Sequence, residues 1–242
     1  MNHYGDDDEK KGCVLIHGFT GSPREIEIIA SYLERAGMKI STPTLPGHGY
    51  PLNKEDMKRF GWQDWVNVAE SAVKEMIDQV EELYLVGFSM GGLIAAYLST
   101  KYPVKKLVLL SASIYYMNTT RFLKDFIEGV RHQTIRDHFQ RYFYKISHTP
   151  IQSAMQFRKL VKIFSPYIAK VNIPTLIIQG ELDDLVNPKS AEYIYQSIQS
   201  KEKHLHLLPN SKHIIGLDVE KETVVKLVDD FFFPKIGGAN GK

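Results

Sequence analysis

The stretch that most restricts what this chain can become is Leu83-Tyr-Leu-Val-Gly-Phe-Ser-Met-Gly-Gly-Leu-Ile-Ala-Ala-Tyr97. It begins as an apolar, β-prone run, breaks at Gly87-Phe88-Ser89-Met90-Gly91, and resumes with helix formers. A break of the form Gly-x-Ser-x-Gly sets a serine on a sharp strand-to-helix turn with its hydroxyl pushed into the open. A Cβ at 87 or 91 would crowd such a turn, and Gly92 lets the helix start close to neighbouring backbone. Composition alone produces the pattern in about one chain of this length in fifteen. The strand before it and the helix after it therefore carry the weight. Ser89 is the candidate nucleophile.

The rest of the chain supplies an α/β framework. Apolar runs predict strands at Cys13–His17, Lys39–Pro43, Lys106–Ser111, Pro174–Gly180 and His204–Leu208, besides the one that leads into Gly87. Between them, helices are expected from Ser22-Pro23 to Gly37, over Trp62–Val80, after Gly91, at about Lys189–Ser197 and at about Glu220–Phe232. Alternating strands and helices imply a mostly parallel central sheet, right-handed crossovers and helices on both faces. The tail Gly237–Gly241 has nothing to pack and reads as loose.

Residues 113–170 break the rhythm. No strand is evident there, and two or three helices are expected. The stretch is rich in aromatic residues and carries ten Lys and Arg against three Asp and Glu. It reads as a small helical cap inserted between core segments 1–112 and 171–242, with a basic solvated outer face and an aromatic inner face suited to a ligand pocket.

A chain of 242 residues, 43% hydrophobic, can bury a sizeable core. The formal net charge of +2 gives no reason to expect nucleic acid as a partner. The one cysteine, Cys13, rules out an intrachain disulfide and a cysteine-based metal site, and its apolar setting marks a buried thiol. Polar residues follow Met1, and no apolar run approaches the ~18 residues of a membrane span. A cytoplasmic protein without stable membrane insertion is expected.

A serine nucleophile needs a base, and the base needs a third group to orient it. On this scaffold the order is Ser, then an acid, then His. Glu181, Asp183 and Asp184 all lie just past a strand end, where sites gather in open α/β sheets, and spacing does not separate them. His213 stands in the loop after the last strand and is the candidate base. His48, in Pro46-Gly-His-Gly49, precedes the serine and reads as a loop-structuring residue. His204 and His206 share one strand face, expected under a helix, while His132, His138 and His148 fall in the basic insertion. Backbone amides supply the oxyanion donors: Met90, the residue after the nucleophile, and Phe19, in the Gly-rich loop after the first strand.

These residues resemble the α/β-hydrolase superfamily. Within it they look most like the small bacillus-type carboxylesterases and the bacterial monoacylglycerol lipases. The resemblance rests on His17-Gly-Phe-Thr-Gly21, Pro46-Gly-His-Gly49, Gly87-Phe-Ser-Met-Gly-Gly92, Gly180-x-x-Asp183-x-x-Val-Asn-Pro188 and Ser211-Lys-His213, in the family's order and at similar intervals. It implies the α/β-hydrolase fold, selects Asp183 as the acid, and places the base at His213. Lys212 departs from the pattern, which has glycine before that histidine.

The expected activity is that of a serine carboxylesterase acting on short- to medium-chain esters through an acyl-enzyme. Monoacylglycerol lipase, or another triad hydrolase such as a C–C hydrolase or a perhydrolase, is the alternative. No metal or cofactor is called for, and the expected partner is a small-molecule ester. Ile114, Tyr115, Met117, Phe122 and Phe126 are the expected wall of the acyl pocket.

Overall fold

The structure, a computed structural model, describes residues 11–115 and 149–234. Six strands form one parallel sheet: β1 (Lys11–Ile16), β2 (Lys39–Ser41), β3 (Glu82–Phe88), β4 (Val104–Leu110), β5 (Thr175–Gly180) and β6 (Lys203–Leu208). Their spatial order is β2-β1-β3-β4-β5-β6, every neighbouring pair parallel. This is the α/β-hydrolase fold that the sequence predicts. All six expected strands are present, with ends moved by at most two residues.

Because side chains alternate along a strand, the central strands feed two cores at once. Val14, Ile16, Leu85, Leu107, Leu109 and Ile177 face one layer. Cys13, Leu15, Val86, Val108, Leu110 and Ile178 face the other. The second layer is covered by α1 (Glu27–Arg35), through Ile29 and Leu33, and by the C-terminal helix, through Val224, Val228 and Phe232. Cys13 is fully buried there, which pushes its thiol pKa up.

The connection from 44 to 61 contains the short helix α2 (Lys54–Arg59). Asn53 caps it by accepting the Glu55 amide at 3.0 Å. The first layer is then covered by α3 (Trp62–Ile77), whose Trp65, Ala69, Val73 and Met76 recur at helical spacing. That helix ends at Ile77 rather than Val80, its last turn closed by the amide of the capping Asp78 on Lys74 O. Ser22 does not cap the first helix: Pro23–Ile26 is a 3-10 turn that leads into α1.

Helix α4 (Met90–Ser99) is buried on nearly every side, between the sheet and α5 (Ile151–Phe164). Phe164 of α5 stacks on Tyr97 of α4, with ring centroids 4.4 Å apart. A 3-10 turn at Ser165–Lys170 follows α5. The described end of the expected cap thus shares the first-layer core. Met117, Phe122, Phe126, three of the histidines (His132, His138 and His148) and the glycine-rich tail lie outside the described residues. Helices α6 (Lys189–Ser197) and α7 (Lys221–Phe232) are the last two among the described residues. Among the described residues no helix is long and apolar enough to cross a membrane.

The turn from β3 to α4 is the tightest place in the fold. A Cβ on Gly91 would run into the carbonyls of Ile16 and His17, and one on Gly87 into the backbone of Gly91 and Gly92. The colliding atoms are main chain, so neither site can relax by turning a rotamer. Gly91→Ala is therefore expected to cost about 3 kcal/mol or more, read as a lowered urea midpoint.

Candidate active site

Ser89 sits between β3 and α4 with φ 54° and ψ −116°, a left-handed conformation that a serine adopts only under constraint. Three backbone hydrogen bonds hold it: its amide donates to Leu110 O at 2.8 Å, and its carbonyl accepts from Gly92 at 3.0 Å and Ser113 at 3.3 Å. The elbow aims the Oγ across the carboxyl ends of the neighbouring strands.

Strand β6 ends at Leu208, and the loop beyond it delivers His213, whose Nε2 is 3.0 Å from Ser89 Oγ. Its Nδ1 is 2.8 Å from Oδ2 of Asp183, which follows β5. Of the three acids, Glu181 is exposed and Asp184 half-buried, while Asp183 is fully buried and reaches the imidazole. Burying a carboxylate is costly unless its lone pairs are used. Oδ1 accepts the amides of Leu185 (2.9 Å) and Val186 (2.8 Å), and Oδ2 accepts Gln179 Nε2 (2.7 Å) besides the imidazole. Such a carboxylate has nowhere to turn. Since it only accepts, the imidazole proton belongs on Nδ1 and the lone pair on Nε2 faces the serine.

Lys212 does not displace the histidine. Its amide donates to Asp218 at 2.6 Å, and Ser211 Oγ and the Asn210 amide both donate to Glu220 (2.7 and 2.9 Å). Two carboxylates at the start of the last helical segment thus grip the loop that carries His213.

The candidate oxyanion donors lie at the same edge. A Cβ on Gly18 would stand 3.2 Å from that of Ser89, so the loop carrying Phe19 lies directly on the elbow. Among the described residues no backbone acceptor is seen for the Phe19 and Met90 amides. Met90 also opens α4, where the helix dipole favours negative charge.

Two expected pocket residues are described. Ile114 is buried in the first-layer core. Tyr115 is exposed, its ring 5.6 Å from that of Tyr193 and its amide on Ser190 Oγ at 2.9 Å. His204 and His206 lie on the helix-covered face, as expected: their partners in β5, Leu176 and Ile178, belong to the layer under the C-terminal helix. The His204 ring stands edge-on to Phe231 of that helix, although His204 is exposed because β6 is an edge strand. Gln179 and Ser113 were not singled out from the sequence. Each is a polar residue at the carboxyl end of an apolar strand, and that position is the available signal. Among the described residues no group of three or more His, Cys, Asp or Glu could hold a metal ion.

Behind the loop lies an aromatic cluster. Phe19 stacks on Phe157 of α5 (4.9 Å, 8° between planes) and meets His48 and Trp65 at 5.8 and 5.6 Å. His17 Nδ1 lies 2.8 Å from Gly18 O, and its Nε2 accepts the Leu45 amide at 3.0 Å. His48 Nδ1 is 3.0 Å from Pro46 O, which also accepts Trp65 Nε1 at 3.1 Å. His48 thus structures its loop, as expected.

Comparison with known proteins adds the following. The sequence profile of the "Alpha/beta hydrolase family" matches residues 13–226. A thermostable monoacylglycerol lipase of Bacillus sp. (strain H-257) is 28% identical over 233 residues, spanning 93% of this chain and 92% of that one. A carboxylesterase of Bacillus subtilis (strain 168) is 25% identical over 231 residues, spanning 91% and 92%. Among solved structures, one from a study of the metagenome-derived lipolytic enzymes LipS and LipT superposes with a TM-score of 0.76 at 23% identity, covering 92% of this chain and 93% of the other. A soluble variant of monoglyceride lipase from Saccharomyces cerevisiae superposes with a TM-score of 0.70 at 18% identity, covering 96% and 88%.

The His17–His48 pair makes the site acid-sensitive. Burial, and for His17 also its neighbour His48, pushes both imidazoles down to about 4, against the raising effect of their backbone carbonyls. In the unfolded chain both titrate near 6.5. The unfolded state therefore takes up protons first, and their stabilisation is complete above about pH 6.5 and lost as pH falls toward 4. Each histidine accounts for about 3 kcal/mol at most. The unfolding free energy from urea titrations should fall over this window, and His48→Gln should make the fall measurably shallower.

Proposed function

We propose that this chain, which belongs to the alpha/beta hydrolase family, is a carboxylic ester hydrolase that works through Ser89, Asp183 and His213. The observation that carries this is the imidazole held between its two partners, 3.0 Å from Ser89 Oγ and 2.8 Å from Asp183. A neutral imidazole so placed is a general base for the hydroxyl.

The steps follow from the geometry. Ser89 Oγ attacks the ester carbonyl while its proton passes to His213 Nε2. The carbonyl oxygen becomes an oxyanion received by the amides of Phe19 and Met90. Asp183 holds the imidazole in its tautomer and stabilises the cation that forms. His213 then gives the proton to the departing alcohol, leaving an acyl-enzyme. Water enters, loses a proton to His213, attacks the acyl carbon, and Ser89 leaves with that proton. The reaction draws only on side chains and backbone already in place.

Two relatives at comparable identity frame the substrate: one is named a carboxylesterase and the other a monoacylglycerol lipase. We take short- to medium-chain esters as the substrate class and monoacylglycerol as the second reading. The aromatic character of residues 113–170 supports an apolar acyl site. Rates across p-nitrophenyl esters of increasing chain length, with monoacylglycerols beside them, decide between the two.

A fluorophosphonate probe is expected to label Ser89, and Ser89→Ala to lower kcat by about four orders of magnitude or more. Unlabelled, folded protein would contradict the assignment. Asp183→Asn should cost about 10⁴ in kcat, whereas Asp184→Asn, altering a carboxylate outside the hydrogen-bonded chain, should change it by less than about tenfold. The reverse ranking would move the acid to Asp184.

A further inference from the structure

The hydrogen-bonded chain does not stop at Ser89. Ser113, three residues past the end of β4, is 1% exposed, and its Oγ lies 2.8 Å from Ser89 Oγ. Its amide also donates to Ser89 O at 3.3 Å. Backbone and side chain of one residue therefore both hold the candidate nucleophile.

Proton counting gives the direction of the Oγ–Oγ bond. A hydroxyl has one proton and two acceptor sites. Asp183 only accepts, so His213 carries its proton on Nδ1 and offers a lone pair at Nε2. The Ser89 proton points to that lone pair. The proton between the two serine oxygens is then the one on Ser113, and Ser89 Oγ accepts it.

We propose that Ser113 is a fourth catalytic group, a fixed donor to the reacting oxygen. As the Ser89 proton moves to His213, negative charge grows on Oγ, and a hydrogen bond to a charged oxygen is stronger than one to a neutral hydroxyl. The Ser113 bond tightens as the Oγ–H bond breaks and the Oγ–carbon bond forms. In deacylation the same oxygen is the leaving group, and Ser113 donates to it again while His213 returns the proton. Ser113 keeps its own proton throughout, so the proton balance of the two half-reactions is unchanged.

The opposite arrangement, Ser89 donating to Ser113, would leave the imidazole idle and make Ser113 a brake. The two predict opposite signs on substitution. Ser111 provides the internal control. It stands two residues earlier on the same chain end, also fully buried, and among the described residues its Oγ has no hydrogen-bond partner.

The inference rests on the Ser89–His213–Asp183 reading, and the test separates the two. Wild type, Ser113→Ala, Ser113→Cys and Ser111→Ala are compared by the rate of fluorophosphonate labelling at Ser89, by kcat and KM on a p-nitrophenyl ester, and by melting temperature. Ser113→Cys keeps the volume but offers only a weak donor, so it carries the test where the alanine variant folds poorly. Labelling rate and kcat are expected to fall about tenfold in both Ser113 variants, with KM little changed and Ser111→Ala at the wild-type rate. Rates in folded Ser113 variants that equal or exceed wild type, or an equal loss in Ser111→Ala, overturn the proposal. Absence of labelling in folded wild type overturns the triad reading and this inference with it.

Discussion

Everything at this site depends on how closely two pieces of backbone can approach at one turn. Gly91 rests against the carbonyls of Ile16 and His17, and Gly87 against the main chain of Gly91 and Gly92. With no Cβ at either position, the end of β1 and the start of α4 share space that any other residue would fill. The contact has two effects. It bends β3 into α4 sharply enough to hold Ser89 at φ 54°, a strain of order 1–3 kcal/mol. It also brings the loop of Gly18 and Phe19 onto the serine, so the proposed nucleophile and the proposed oxyanion donors are set by one packing event. Strain of this kind persists only where the surroundings over-determine it, and the three backbone bonds on Ser89 do so.

From that turn the polar groups run across the sheet in strand order. Consecutive strands β3, β4, β5 and β6 present Ser89, Ser113, Asp183 and His213 beyond their carboxyl ends. The groups are buried, which would be destabilising if any were left unpaired. Instead each lone pair that matters has a donor, and the order of the bonds assigns every proton. The site thus stands ready in one protonation pattern and needs little rearrangement when charge moves through it. Fixed dipoles of this kind give larger electrostatic stabilisation of a transition state than mobile water does.

Much of this was legible in the sequence because it is periodic or local. Strands β1, β3, β4 and β5 are continuous apolar runs, as a sheet buried on both faces requires. The turn at Gly87–Gly91 and the order of Ser89, an acid after the fifth strand, and His213 follow from the chain alone. The missing parts depend on distance in space. Nothing local distinguishes Asp183 from Asp184: what separates them is burial and the two amides that Asp183 caps. Helix α2 has only Met57 to bury, too little for a periodic signal. Ser113 looked like the start of the inserted segment, because its relation to Ser89 arises from the pairing of β3 with β4. The exposure of His204 was not legible either, because position in the sheet, which makes β6 an edge, is not written in the strand itself.

The aromatic cluster explains why the segment after residue 149 belongs with the catalytic edge and not merely above it. Phe157 lies on Phe19, Phe164 on Tyr97, and Ser153 Oγ donates to Met57 O at 3.0 Å. Helix α5 therefore touches the oxyanion loop, the helix behind the nucleophile, and α2 in one stroke. Stacked aromatic pairs contribute about 0.5–1.5 kcal/mol each beyond their buried area. That is enough to bias the position of a loop whose amide is the proposed oxyanion donor, and too little to make the fold depend on it. The described end of the aromatic-rich segment thus also steadies the loop that carries the proposed oxyanion donor. Any change in how α5 seats would reach the chemistry through Phe19 before it reached the triad.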